Sequence, residues 1–289
     1  MNRIKIPTSI KDVNSKNILG YGHKLAPGHP GFSDHKYKER RQFISKLANE
    51  YKVDSPIPKI HYEDDEKFVW KQVMSKLKEL LPLQACNKYL KVFPLFEFDE
   101  NEIPQLEDVS KLLYSTSGWK IRPVSGLLHP RDFLAGLAFK HFHTTQYVRH
   151  HSSPMYTPEP DVCHELIGHI PMLADTDFSD FVQAIGKASL GMDDATLWHI
   201  TKVYWHTVEF GVMREGEDIK AYGAGILSSY GEMNNLMYGN PEIVSFDPEM
   251  KQPKMRYKDG YQRRYFRIDT LEDAHSMIEH YIRKTNKQC

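Results

Sequence analysis

The fold of this chain is decided by the stretch His164-Glu165-Leu166-Ile167-Gly168-His169, which places two imidazoles five positions apart. Zinc peptidases space such histidines four apart, so that both rings point at one ion from the same side of an α-helix. On an ideal α-helix an interval of five turns the second ring about 140° away from the first. His169 can therefore share an ion with His164 only if the helix ends or bends between them. Gly168 and Pro171 are expected to cause that break, because glycine weakens a helical turn and proline lacks the N–H.

A lone acid, Glu209, lies about one helix further along the chain, in residues 204–211 (YWHTVEFG). Two neutral imidazoles and one carboxylate form the facial triad of non-haem Fe(II) oxygenases, which leaves coordination positions open for water, oxygen and substrate. Pro160 suits the first turn of a helix that leads into His164. The sequence therefore predicts an iron site formed by His164, His169 and Glu209.

Two other classes of protein fit the same residues and stay open at this point. A zinc metallohydrolase would use His164, His169 and Glu165, with Glu165 as the base that activates water, although the five-residue interval argues against it. A noncatalytic helical binding protein would use the histidines for packing or for a structural metal. With 15 histidines in 289 residues, close pairs also arise by chance. Structural sites usually have four protein ligands, however, and only three are found here.

The pattern of apolar residues predicts a mainly α protein with a few short β-strands. One helix carries Phe43, Ile44, Leu47 and Tyr51 on one face, and a second begins near Asp64. Further helices are predicted over residues 84–92, 105–114, 131–146, 160–168, 178–190, 195–210 and 271–282. Strands are predicted over residues 219–222, 255–257 and 262–268.

Composition indicates a single catalytic domain spanning residues 1–289, with a loose N-terminal segment of about 1–32. Lys plus Arg and Asp plus Glu both number 38, so no nucleic-acid partner is expected. No apolar stretch reaches the length of a membrane span, and no membrane association is expected. The three cysteines show no paired spacing, which indicates a reducing compartment, and we expect the cytoplasm.

From about His29 to about Ile282 the chain resembles the catalytic domain of the pterin-dependent aromatic amino acid hydroxylases, the family of phenylalanine, tyrosine and tryptophan hydroxylases. The densest stretches are residues 103–110 (IPQLEDVS), 126–149, 154–168, 207–211 (TVEFG) and 220–232. Several long motifs in the family's order are far more specific than any one pattern. The resemblance implies that catalytic-domain architecture and a monooxygenase that uses Fe(II), a tetrahydropterin and dioxygen to hydroxylate an aromatic ring.

The resemblance also assigns roles to individual residues. It places the iron ligands at His164, His169 and Glu209, the substrate contacts at Arg149, Thr157, Pro160, Trp205, Phe210 and Ser228, and the pterin contacts at Gly126, Leu127, Leu128, Phe133 and Glu165. A physical interpretation agrees, because the planar guanidinium of Arg149 suits a carboxylate. Trp205, Phe210 and Pro160 would form a dry wall for an aromatic ring.

Phenylalanine, converted to tyrosine, is the first expectation for the substrate, because the family associates a tryptophan at position 205 with phenylalanine and tyrosine enzymes. Lys258 departs from the apolar residue common in a stretch where substrate preference varies. Tryptophan or mixed specificity therefore stays open.

Larger members of the family carry an N-terminal regulatory domain and a C-terminal tetramerisation helix. Neither is found in this chain, so we expect a monomer or weak dimer.

Overall fold

The part of the chain that the computed structural model describes, residues 6–20, 25–255 and 260–286, is mainly helical. This confirms the expected fold class. The helices are α1 (His35–Glu50), α2 (Asp64–Gln84), α3 (Asn87–Val92), α4 (Leu106–Ser117), α5 (Pro130–Ala138), α6 (Ile170–Leu173), α7 (Thr176–Ser189), α8 (Asp194–Tyr204), α9 (Ala224–Leu227), α10 (Tyr230–Tyr238) and α11 (Leu271–Asn286). Two wider helical segments, His164–His169 and Trp205–Glu209, lie directly before α6 and directly after α8.

The strands are short and form three small sheets. They are β1 (Ile18–Gly20), β2 (Lys120–Pro123), β3 (Leu127–Leu128), β4 (His141–Thr144), β5 (Gly211–Glu215), β6 (Asp218–Ala221), β7 (Glu242–Ser245) and β8 (Arg264–Ile268). Strands β1 and β3 pair antiparallel, β2 and β4 pair parallel, and the remaining four lie in the order β6-β5-β8-β7.

Helix α7 lies at the centre of the core, between α5 and α11. Phe178, Phe181, Val182 and Ile185 follow helical spacing and are at most 1% exposed. Gly186 permits the close approach of α5, because a Cβ there would lie 2.3 Å from the backbone nitrogen of Ala138. The packing of α7 therefore fixes the position of α5, which carries Phe133.

The predicted helix over residues 131–146 is wrong in its second half. Helix α5 ends at Ala138, Lys140 has a left-handed φ of 53°, and the chain continues as β4. The reason is that residues 141–144 pair with β2, which lies on the other side of α5 in the chain. Such non-local pairing leaves no mark in local periodicity. The strand expected at residues 255–257 falls mostly outside the described residues, and Met255 lies in no strand.

The N-terminal segment, expected to be loose, contains β1 among its described residues 6–20. Val13 in this segment is 3% exposed. Among the described residues, no helix combines the length and apolar character that crossing a membrane requires.

Candidate functional site

His164–His169 forms a π-helix, in which the backbone bonds join residues five apart. The N–H of Ile170 donates to the carbonyl of Glu165 and closes such a turn. The expected break is therefore absent, and the helix continues into α6. A widened turn brings residues five apart to the same side of the helix. His164 and His169 can therefore face one ion without the break that the sequence predicted.

Where the helix continues past Pro171, a contact from outside the helix supplies a missing hydrogen bond. Proline cannot donate a backbone bond to the preceding turn. The carbonyl of Ile167 instead accepts a hydrogen bond of 2.9 Å from the buried hydroxyl of Tyr89. This long-range bond satisfies a carbonyl near the proline and helps the helix to persist there.

The carboxylate at Glu209 ends a second π-helix, Trp205–Glu209. The N–H of Phe210 donates to the carbonyl of Trp205 at 3.1 Å, again across five residues. The chain then leaves the helix at Gly211, where a Cβ would lie 2.2 Å from the ring of Tyr222. The close packing at this glycine turns the chain into β5 directly after the acid.

The three candidate ligands converge. His164 Nε2 lies 3.0 Å from His169 Nε2. Glu209 places Oε2 at 3.5 Å from the first of these nitrogens and Oε1 at 3.2 Å from the second. Ligand atoms about 2.1 Å from one ion, at right angles to one another, are about 3.0 Å apart, so the set fits a first-row metal ion. The three donors come from two helical segments, His164–His169 and Trp205–Glu209.

A neighbouring hydroxyl fixes the tautomer of His164. Ser228 Oγ donates to the carbonyl of Ala224 at 2.7 Å, and it lies 2.8 Å from His164 Nδ1. Since the hydroxyl hydrogen is used, Nδ1 must carry the proton in this contact. The lone pair of His164 is therefore on Nε2, the atom that faces His169 and Glu209.

The two acids in this region differ in ionisation. Burial alone would raise the pKa of Glu209, but the imidazoles of His169 and His164 hold it well below its usual value. Burial raises the pKa of Glu165 to about 8. Ligand atoms of Glu165, His164 and His169 lie within 4.8 Å of one another, so Glu165 is a second acid beside the cluster.

Arg149 is buried and already has a partner. Its Nε and Nη2 donate to the carboxylate of Asp161 at 2.9 and 2.7 Å. Among the described residues, the one partner of Nη1 is the carbonyl of Pro154 at 3.4 Å. The Nε/Nη2 edge of the guanidinium is thus fixed by Asp161, and Nη1 has hydrogens to donate to a second carboxylate. Asp161 also accepts from the backbone N–H of His164 at 3.0 Å, which connects the arginine to the helix that carries two of the candidate ligands.

Two residues of the expected apolar wall, Trp205 and Phe210, pack together next to Glu209 in the chain. The rings of Trp205 and Phe210 lie 4.7 Å apart. The carbonyl of Pro160 accepts bonds from Tyr147 at 2.8 Å and from Thr145 at 3.2 Å, which fix the backbone at this proline. The hydroxyl of Thr157 donates to the carbonyl of Glu159 at 2.6 Å and can offer a ligand only an acceptor.

The expected pterin contacts come from β3 and α5. Leu127 and Leu128 form β3, Gly126 directly precedes them, and Phe133 is half-buried on α5. The ring of Phe133 packs edge-on against Tyr204 at 5.2 Å, and Tyr204 stacks on His169 at 6.4 Å. An aromatic contact chain therefore runs from Phe133 to the candidate ligand His169.

Sequence reasoning missed Asp161 and Tyr204. Asp161 lies within the motif that precedes His164, and its position one turn before a helical histidine was a usable signal for a capping acid. Nothing local marks Tyr204, whose importance arises from packing between Phe133 and His169.

Comparison with known proteins gives close relatives. The chain is 53% identical to the chloroplastic phenylalanine 4-monooxygenase of Pinus taeda, over 96% of this chain and 79% of that protein. It is 52% identical to the chloroplastic phenylalanine 4-monooxygenase of Chlamydomonas reinhardtii, over 94% of this chain and 76% of that one.

These relatives overturn the expected cytoplasmic location, since both are chloroplastic enzymes. The expectation of a cytoplasmic protein was wrong because unpaired cysteines indicate only a reducing environment. They do not distinguish the cytosol from another reducing compartment.

The fold has counterparts among solved structures. Phenylalanine hydroxylase from Chromobacterium violaceum, with bound iron(III) and 7,8-dihydrobiopterin, matches with a TM-score of 0.72 and 27% identity, over 85% of this chain and 92% of that one. The sequence model of the biopterin-dependent aromatic amino acid hydroxylases matches residues 4–289. Because that match spans nearly the whole chain and relatives are more than half identical to it, the chain belongs to the biopterin-dependent aromatic amino acid hydroxylase family.

Proposed function

We propose that this protein hydroxylates phenylalanine to tyrosine, using Fe(II), a tetrahydropterin and dioxygen. The observation that carries the proposal is the convergence of His164 Nε2, His169 Nε2 and the Glu209 carboxylate within 3.0–3.5 Å of one another. The names of the relatives, phenylalanine 4-monooxygenases at 53% and 52% identity, support the same reaction.

His164, His169 and Glu209 would hold the iron on one side and leave its other positions open. Iron and pterin together supply the oxygen activation, and the protein binds, orients and excludes water. Ser228 keeps Nε2 of His164 unprotonated for the metal, through the contact with Nδ1.

Arg149 would bind the substrate carboxylate through Nη1, while Asp161 accepts from the Nε and Nη2 edge of the guanidinium. Thr157 and Ser228 would accept hydrogen bonds from the ammonium group, since both hydroxyl hydrogens are used within the protein. Pro160, Trp205 and Phe210 would enclose the ring. Fixing both ends of the amino acid directs one edge of the ring at the metal, which is catalysis by positioning.

The backbone of Gly126, Leu127 and Leu128 would recognise the pterin, and Phe133 would stack on it. Glu165, whose carboxylate lies within 4.8 Å of the ligand atoms of His164 and His169, would hydrogen-bond to the pterin.

Phenylalanine is preferred in the proposal because both relatives described above act on it by name. Hydroxylation of tryptophan, or mixed specificity, is the second candidate. Discrimination by shape in an apolar pocket is worth only about 1–3 kcal/mol per small group, so several aromatic amino acids can be tested as substrates. Lys258, the residue that departs from the family pattern, lies outside the described residues.

The zinc-hydrolase alternative has lost its support. Its ligands would sit four apart on an α-helix, whereas these sit five apart on a π-helix. A noncatalytic role leaves the three converging ligands unexplained, because structural sites are usually closed by a fourth. For the assembly we propose a monomer or weak dimer, which a stable tetramer in sedimentation would contradict.

The test supplies Fe(II), tetrahydropterin and oxygen with phenylalanine, tyrosine or tryptophan, and identifies each product by mass. We expect tyrosine from phenylalanine as the main product, in amounts that depend on pterin. His169→Gln should lower turnover by at least about 100-fold and remove bound iron, more than is typical for residues that only support a ligand. His199→Gln, at a half-buried histidine bonded to the carbonyl of Pro248, is the matched control and should stay active. No pterin-dependent product from any of the three amino acids would contradict the proposal.

A further inference from the structure

Residues 10–20, which we call the strap, run along the segment assigned to the pterin. The guanidinium of Arg122, 8% exposed, holds the first part of the strap. It donates to the carbonyls of Ile10 and Val13 at 3.1 and 3.2 Å and to the hydroxyl of Ser15 at 2.9 Å. The segment is therefore fixed to β2 before it reaches β3.

Asp132 holds the second part of the strap. Its carboxylate accepts from the backbone N–H of Asn14 at 3.1 Å and from the amide of Asn17 at 2.8 Å. The carbonyl of Asn17 in turn accepts from the N–H of His129 at 2.8 Å. Asp132 directly precedes Phe133, so these bonds act on the first turn of the helix that carries the stacking ring.

The end of the strap is β1, which pairs with β3. Ile18 faces Leu128 and Gly20 faces Leu127. Within the described residues, β1 is the strand that pairs with β3, in a sheet of two strands. A backbone that recognises a small molecule must be held within a fraction of an ångström by other contacts, and here the strap provides them.

The strap acts on one flank of the site. In the described part of the chain, the strap bonds to Arg122, His129 and Asp132, pairs with β3, and places Lys11 Nζ 3.1 Å from Asp54 Oδ2. No hydrogen bond in that part of the chain joins the strap to Arg149, Thr157 or Ser228. Loosening the strap should therefore disturb the pterin side and leave the amino acid side unchanged.

We propose that the strap positions the pterin-recognising backbone, with Asp132 and Asn17 as the positioning pair. The inference rests on the proposed function, because it takes Leu127, Leu128 and Phe133 as pterin contacts. It adds that pterin binding also requires the strap, which contains none of those contact residues.

The experiment measures KM for tetrahydropterin and for phenylalanine in iron-loaded Asp132→Asn. Losing one or two hydrogen bonds should raise the pterin KM about tenfold and leave the phenylalanine KM within about twofold. Amide exchange at His129 should become faster, which reports detachment of the strap without any use of activity. Asn17→Ala should act in the same direction, and because Asn17 is exposed its replacement leaves the core untouched.

A matched control and a rescue make the test specific. Asp99→Asn removes the same kind of acceptor, since Asp99 accepts from the N–H and the amide of Asn101 on the surface, and it should change neither KM. The double variant Asp132→Asn, Asn17→Asp exchanges carboxylate and amide, restores the pair and should recover the pterin KM.

Two results would contradict the proposed role of the strap. One is an unchanged pterin KM in Asp132→Asn although exchange at His129 is faster, and the other is an equal rise of both KM values. Wild-type protein without pterin-dependent turnover would instead contradict the proposed function itself.

Discussion

Ser228 shows how one hydroxyl controls a metal ligand. The hydroxyl donates its hydrogen to the carbonyl of Ala224, so it can only accept a hydrogen bond from His164 Nδ1. The serine was expected to contact the substrate, and the structure adds a second task. A single side chain thus connects α9 with the first π-helix.

Ser228→Ala should lower the affinity for Fe(II) by about 10- to 100-fold, the usual effect of losing a residue that orients a metal-bound histidine. Without the acceptor, His164 can carry its proton on Nε2, which then cannot bind the metal. Titration with Fe(II) against a competing chelator measures the change.

Ser189→Ala is the matched control for this variant, since Ser189 is equally buried and donates to the carbonyl of Gly186 at 2.7 Å. It should leave iron affinity unchanged. If Ser228→Ala bound iron like the wild type and raised only the phenylalanine KM, the serine would act on the substrate alone.

The convergence of His164, His169 and Glu209 could be predicted from sequence, but the partners of these residues could not. The spacing of His164 and His169 indicated a shared ion because it violates the ordinary helical period. Asp161 and Tyr204 act through contacts with residues elsewhere in the chain, and such contacts leave no periodic signal. Local chemistry therefore identifies ligands more readily than the groups that orient them.

The two π-helices show the same limit for whole elements. Gly168 and Pro171 predicted a broken helix, whereas the structure keeps the helix and widens it. One contribution comes from α3, where the hydroxyl of Tyr89 donates to the carbonyl of Ile167 and satisfies an acceptor that Pro171 cannot. Strand β4 was missed for a similar reason, since its partner β2 is distant in sequence.

Gly168→Ala tests the packing of the first π-helix against α9. Helix propensity alone would favour alanine by about 1 kcal/mol. A Cβ at this position would lie 2.6 Å from the carbonyl oxygen of Ala224, which is backbone and cannot move freely. Overpacking costs about 1–3 kcal/mol, so we expect a net loss of unfolding free energy and weaker iron binding.

Denaturant unfolding of the apoprotein measures the stability change. Gly20→Ala serves as the control, because nothing lies within 4 Å of a Cβ built there. A Gly168→Ala protein as stable as the wild type would show that α9 can shift without cost.

The free energy of unfolding of the whole molecule should depend on pH through its buried histidines. His143 is 2% exposed, and neither ring nitrogen has a hydrogen-bond partner among the described residues. Burial lowers the pKa of His143 to about 3, with Arg122 and His141 adding to the effect. His206, whose pKa burial lowers to about 4, adds to the same dependence.

Between about pH 6.5 and 3 the unfolded chain binds a proton at His143 that the folded protein excludes. The free energy of unfolding should therefore fall on acidification by about 1.4 kcal/mol per pH unit from this group. His143→Leu should make that slope shallower, as measured by urea unfolding between pH 7 and 5.

His61→Leu removes an exposed imidazole and is the control for this substitution. An identical slope in wild type and His143→Leu would show that His143 accepts a proton without unfolding.

The widened turns make this catalytic centre sensitive to chain length rather than to composition alone. Each turn holds its ligand by bonds across five residues, so excising one residue would restore the tighter winding and rotate the ligand by about 100°. Substitutions that preserve bulk can be absorbed in these segments. Gains or losses of a single codon there would separate the ligands, and length should therefore be the stricter evolutionary constraint.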